Sequence, residues 1–277
     1  MVELAHRVVA TPASEPTKAV LFLHGVFGRG RNFGTQARRL TDARRDLAAV
    51  LVDLRLHGDS AAAEATPPHT VDAAAGDLDS VVGALVPRRI VAVVGHSLGG
   101  KIALAFARRH HGEGRRTLVL DITPGARPEA LRGGAGRSAP LRVLEVLRPL
   151  AAPGRTFPDR QDFVDAVMAG GQSVTTARWL ATNLERTDDM GPLRLAMDLD
   201  SIAGLLRDHY TTDLWPVARE TDCRFLLAGR SDAGGARDRS LLLADTATDV
   251  EVLPEADHWL HREAPDAVLD WLLRHLP

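Results

Sequence analysis

The sequence predicts an α/β architecture, a mostly parallel central sheet flanked by helices, with a helical lid inserted into it. Three observations lead there. Short apolar runs without polar alternation recur along the chain, stretches with helical apolar spacing separate them, and this alternation breaks off between about residues 123 and 216. Apolar runs of strand length suit parallel strands buried on both faces, and strand alternating with helix implies right-handed crossovers.

Taken in order, the apolar runs span residues 19–23, 47–54, 89–94, 117–120, 224–228 and 249–253. Helical spacing is expected over residues 78–86, 101–110 and 264–276. Within the gap, residues 125–158 are rich in Gly, Arg and Pro and are expected to be irregular, including the low-complexity run 132–137. Residues 161–168, 175–186 and 192–209 read as helices. The expected division is a core of residues 1–124 and 215–277 with a lid of residues 125–214.

At 277 residues the chain suits one elaborated domain, and 45% hydrophobic with 25% charged residues excludes disordered and collagen-like classes. A net charge of −2 gives no basic footprint for nucleic acid or an anionic membrane surface. All but Lys18 and Lys101 of the 34 basic residues are arginine, which reads as coding bias. A single cysteine, Cys223, rules out an internal disulfide and a multi-cysteine zinc site, and no HExxH pair is present, so neither metal nor organic cofactor is expected. With no secretory signal or transmembrane run, the expectation is a soluble cytoplasmic protein, monomer or homodimer.

The strongest chemical signal is Gly95-His96-Ser97-Leu98-Gly99-Gly100, between an expected strand and an expected helix. It matches the G-x-S-x-G nucleophile elbow in the strand–turn–helix setting that exposes a serine hydroxyl above a sheet edge. Glycines beside the serine clear the turn, and the helix N-terminus favours a developing oxyanion. A second segment, His24-Gly25-Val26-Phe27-Gly28, follows the first strand. There the N–H of Val26, with Phe27 as alternative, can pair with that of Leu98 as an oxyanion hole.

A general base is expected after the nucleophile. His258 follows the last apolar run in Glu255-Ala256-Asp257-His258-Trp259-Leu260-His261, and His261 is its rival. Two carboxylates follow strands and keep the order Ser, Asp, His. Asp232 in Gly229-Arg230-Ser231-Asp232 is the preferred orienting acid, and Asp121 in Asp121-Ile122-Thr123-Pro124 is the alternative. His24, Phe27, His96, Trp179 and Trp259 are candidates for the substrate-facing wall, with His24 and His96 also open to a structural role.

These segments, together with Asp53-Leu54-Arg55-Leu56-His57-Gly58-Asp59-Ser60, resemble the α/β-hydrolase superfamily and, within it, the short-lidded YbfF-type esterases. The match runs over nearly the whole core, and over the lid only around Trp179-Leu180-Ala181-Thr182-Asn183-Leu184. The superfamily's acid sits where Asp232 sits, whereas relatives in that branch can lack an Asp there. The resemblance implies hydrolysis of a small-molecule ester or thioester.

A serine in the elbow argues for an acyl-enzyme, where an aspartate there would suggest epoxide or carbon–halogen hydrolysis. The lid residues Leu141, Val143, Leu144, Phe163, Leu206 and Trp215 offer apolar surface for an acyl chain or simply for packing. Arg127, Arg132 and Arg137 offer contacts to an anionic group such as a coenzyme A thioester, or a solvated face. Besides the serine hydrolase, a non-hydrolytic enzyme of the same fold (a lyase or cyclase) and a ligand-binding module are the competing classes.

Overall fold

The computed structural model describes residues 2–63, 65–132 and 138–277. Its main sheet is built from β1 (His6–Val9), β2 (Lys18–Leu23), β3 (Leu47–Val52), β4 (Arg89–His96), β5 (Arg116–Leu120), β8 (Cys223–Ala228) and β9 (Asp249–Leu253); β6 (Leu184–Arg186) and β7 (Leu193–Leu195) form a separate antiparallel pair. The strand order is β1-β3-β2-β4-β5-β8-β9, parallel throughout except for β1, which runs antiparallel to β3. All six expected apolar runs are strands of this sheet.

Strand β1 was not anticipated. It is a four-residue edge strand with mostly exposed side chains, so it carries no apolar run to read and owes its form to ladder pairing with β3.

Eleven helices complete the fold among the described residues: α1 (Gly34–Ala43), α2 (Val71–Ala84), α3 (Leu98–Arg109), α4 (Ala139–Leu150), α5 (Arg160–Ala169), α6 (Val174–Leu180), α7 (Leu199–Thr211), α8 (Trp215–Glu220), α9 (Ala236–Ala244), α10 (Leu260–Glu263) and α11 (Pro265–His275). Alternate residues of each strand face opposite cores. Val20 and Phe22 pack with Leu40 of α1 and Trp271 of α11, whereas Leu21 and Leu23 pack on the side of α2 and α3. Helix α3 is buried from Leu98 through Phe106, as a helix sandwiched between the sheet and the inserted segment must be.

Between β5 and β8, neighbours in the sheet, the chain makes a long excursion holding α4 to α7 and the β6–β7 pair. Three expectations for it need correction. The stretch 125–158 is not wholly irregular, because α4 starts behind Pro140 in its first turn and buries Leu141, Val143, Leu144 and Leu147. The expected helix 175–186 ends at Leu180 and gives way to a 3-10 turn and β6, and the start of the expected helix 192–209 is β7, with α7 beginning at Leu199 behind its cap Asp198. Strands of three residues are too short to show a period in sequence. The excursion shares one continuous apolar core with the α2–α3 face of the sheet, through Leu144, Phe163, Leu180 and Leu206.

Candidate active site

Register brings the site together. Leu23 at the end of β2 lies beside Gly95 of β4, and His96 beside Leu120 of β5, so residues 24–27, Ser97 and Asp121 emerge side by side at the carboxyl edge. Ligands of open parallel sheets bind at this edge. Ser97 caps α3 with φ 54° and ψ −117°, a strained conformation for a residue with a side chain. It is accommodated because glycines stand two residues away on either side: a Cβ on Gly95 would collide with the Gly99 carbonyl, and one on Gly99 with the Leu23 carbonyl. The Ser97 amide is held by Leu120 O at 3.0 Å.

His258 reaches the edge on the loop after β9, and its Nδ1 donates to Asp121 Oδ2 at 2.8 Å. This corrects the expected pairing with Asp232. Asp121 is fully buried at φ 48°, and its other oxygen accepts from the Ala228 amide at 2.9 Å and from Arg239 at 3.2 Å. Three donors satisfy the carboxylate where it leaves β5. Asp232 is exposed at the cavity rim, in a turn closed by the Gly235 amide on its own carbonyl.

Both Ser97 and His258 line one cavity of about 480 Å³, and the ring of His96, next to Ser97 in the chain, lies 4.6 Å from that of His258. Val26, Phe27, Leu98, Trp179 and Trp259 line it too. A groove of about 620 Å³ beside β1 is larger; His6, arginines and aspartates line it, and neither Ser97 nor His258 does.

The oxyanion alternatives separate on hydrogen bonding. Phe27 donates its N–H to His57 Nε2 at 3.0 Å, which corrects its place as an alternative donor and leaves Val26 with Leu98. His24, expected on the substrate wall, does not line the cavity: Nδ1 donates to Gly25 O at 2.7 Å and Nε2 accepts from the Leu54 amide at 3.0 Å. Burial lowers its pKa to about 4 and that of His57 to about 3, so both rings remain neutral acceptors at neutral pH. His96 does line the cavity, and its Nε2 donates to the His258 carbonyl at 2.7 Å, fixing the loop that carries His258. The rival His261 is buried against Phe33 and away from the cavity; desolvation takes its pKa down to about 3.

Of the insertion's apolar residues, Val143, Trp179 and Leu206 face the cavity while Leu141, Leu144 and Phe163 belong to the core. Trp215 packs against the core and bonds Asp238 through its indole N–H. Arg127 lines the cavity, Arg132 is exposed outside it, and Arg137 lies outside the described residues. Among the described residues, no group of three or more His, Cys, Asp or Glu is gathered as a metal would require, and no helix is long and apolar enough to cross a membrane.

Two positions that fasten the insertion carried no individual expectation from the sequence. Lys101, buried in the first turn of α3, donates to the carbonyls of Gly125, His209 and Thr212 at 2.7, 2.9 and 2.8 Å. It thereby ties both ends of the excursion to the helix behind Ser97, and desolvation lowers its pKa to about 8. Asn183, the other, bridges the insertion to the loop after β2.

The model of the alpha/beta hydrolase family matches residues 20–271. Curated relatives include the sn-1-specific diacylglycerol lipase ABHD11 of Mus musculus, 28% identical over 91% of this chain and 78% of its own length, and that of Danio rerio, 29% identical over 89% and 74%. Among solved structures, a marine microorganism esterase superposes with a TM-score of 0.81 at 23% identity over the whole of both chains. The E-2-(acetamidomethylene)succinate hydrolase gives 0.76 at 21% over 99% of this chain and 95% of its own. The match takes in the parallel strands, the elbow and the histidine loop, and the chain belongs to the alpha/beta hydrolase family.

Proposed function

We propose that the protein is a serine hydrolase that cleaves carboxylic esters or acyl thioesters of small to medium acyl groups through an acyl-enzyme on Ser97. The observation that carries this is a serine at positive φ on a helix N-terminus, sharing a cavity with an imidazole bonded to a buried carboxylate. In the first half-reaction Ser97 Oγ attacks the carbonyl carbon while His258 Nε2 takes the hydroxyl proton. Asp121 stabilises the imidazolium at Nδ1, and the amides of Val26 and Leu98 receive the oxyanion. Collapse breaks the bond to the alcohol or thiol, which leaves with the proton from His258. Water, deprotonated by the same nitrogen, then attacks the acyl-enzyme and releases the acid.

A cavity of about 480 Å³ suits a small-molecule substrate, and its mixed wall supports a modest acyl chain. Val143, Trp179 and Leu206 supply apolar surface, with the insertion acting as a lid over the edge. The short-lidded YbfF-type branch fits this arrangement. The relatives named as diacylglycerol lipases make acylglycerols a further class to assay.

The test is a panel of p-nitrophenyl esters of increasing chain length, matching acyl thioesters and a diacylglycerol, run with wild type and Ser97→Ala. The expected result is turnover that peaks at short or medium chains and vanishes in Ser97→Ala. Full activity in that variant contradicts the proposal, and wild type inert toward every member shifts the reading to non-hydrolytic chemistry.

A further inference from the structure

Asn183 lies in the 3-10 turn that leads from α6 into β6, and it is 1% exposed. Its amide reaches out of the insertion into the loop after β2. Nδ2 donates to the Phe27 carbonyl at 2.8 Å, and Oδ1 accepts from Arg29 Nε at 3.2 Å. The opposite flip would set an NH₂ against a guanidinium and an oxygen against a carbonyl, so the partners fix the orientation. Arg29 also pairs with Glu185 of β6 at 3.6 Å, and the Trp179 ring lies edge-on to Phe27 at 6.5 Å. These four contacts join insertion and loop, and Arg31 just beyond the loop adds a hydrogen bond to the Thr182 carbonyl at 2.8 Å.

Phe27 has φ 62°, a strained conformation for a bulky residue that persists only when its surroundings impose it. The surroundings are visible. His57 takes its N–H and Asn183 carries its carbonyl, so neither polar group is held by its own loop. On the other side of Val26, the Gly25 carbonyl accepts from His24 Nδ1 at 2.7 Å and from the Gly28 amide at 3.0 Å. A trans peptide is planar, so fixing the Gly25 carbonyl points the Val26 N–H the opposite way. The peptides flanking Val26 are thus fixed by two core histidines, and the Phe27 peptide that follows by one asparagine of the insertion.

We propose that Asn183 is a positioning residue for the oxyanion hole: by holding the Phe27 carbonyl it locks the left-handed turn at Phe27 and so steadies the Val26 N–H that the histidine-held peptides orient. Attack on the substrate carbonyl is thereby coupled to docking of the insertion. The inference rests on the acyl-enzyme reading of the same site.

Asn183→Asp tests it selectively, because the carboxylate keeps an acceptor for Arg29 and turns an oxygen instead of a donor toward the Phe27 carbonyl. Asn183→Ser is the smaller change should the first fail to fold. Steady-state hydrolysis of p-nitrophenyl butyrate is measured beside inhibition by an alkyl boronic acid, whose tetrahedral adduct on a serine places an oxygen in the hole. Removing an oxyanion donor outright costs about 10²–10³ in kcat, so misaiming one is expected to lower kcat about tenfold. Boronate affinity should fall in parallel, with KM within about twofold and the fold retained by circular dichroism at a melting temperature lowered by a few degrees.

Wild-type kcat and boronate affinity in a folded variant overturn the inference alone. So does a rise in KM that accounts for the whole loss, since that marks simple loss of substrate binding. A wild type that neither hydrolyses the ester nor binds the boronate overturns the acyl-enzyme reading, and the inference with it.

Discussion

The sheet edge and the insertion contribute to the site in different ways. At the edge, Ser97 and Asp121 are held by backbone of neighbouring strands, Ser97 by Leu120 and Asp121 by Leu226 and Ala228, with the His96 side chain fixing the loop of His258. The insertion contributes through a few side chains, Asn183 and Trp179 on one side, and is itself fastened by Lys101 to the core. A register of strands is rigid and hard to move by single substitutions, whereas a docked segment depends on a handful of contacts. The edge is therefore read as the seat of bond-making, and the insertion as the part that shapes and aims it.

This contrast breaks most severely if the edge is not where bonds are made. Ser97→Ala is expected to lower kcat at least about a thousandfold with the fold intact, measured by ester hydrolysis and circular dichroism. Next in size is the carboxylate. Asp121→Asn should lower kcat by about 10²–10⁴ through loss of the imidazolium's counter-charge, while Asp232→Asn should stay within about threefold. A reversed pair of losses would return the role to Asp232.

Lys101→Met probes the insertion's fastening. It leaves three buried carbonyls without their donor and should cost about 2–4 kcal/mol, with hydrogen exchange rising first near residues 125 and 209–212. Uniform exchange across the sheet as well would deny the insertion a separate fastening.

A pH-dependent effect follows from the histidines behind the oxyanion loop. In the unfolded chain they titrate near 6.5, in the folded protein near 4 for His24 and 3 for His57. Between those values the unfolded state binds more protons, so stability is full above about pH 6.5 and declines as pH falls toward 4 and then 3. Denaturant titrations from pH 8 to 4 should show it, with a shallower slope in His57→Gln. An unchanged slope in that variant would remove His57 from the cause.

The core was legible because strands buried on both faces appear in sequence as unbroken apolar runs, and the elbow because its glycines are forced by collisions that any side chain would make. The acid was not legible. Asp121 and Asp232 both follow strands and both precede His258, and only the register of β5 against β4 and β8 decides which carboxylate meets the ring. In sequence Phe27 is open as an oxyanion donor, because nothing local shows that His57, thirty residues along the chain, occupies its N–H. The insertion differs from its expected helices where short helices meet three-residue strands, and Asn183 falls in sequence inside an expected helix, with nothing to mark the turn it occupies.

The most direct test of the account is the site and rate of labelling by a fluorophosphonate, followed by mass spectrometry of the digested protein. The account predicts a single adduct on Ser97, formed at similar rates in wild type and Asp232→Asn, and slowed about a hundredfold or more in Asp121→Asn. An adduct on another residue, or slow labelling in Asp232→Asn with normal labelling in Asp121→Asn, would contradict it.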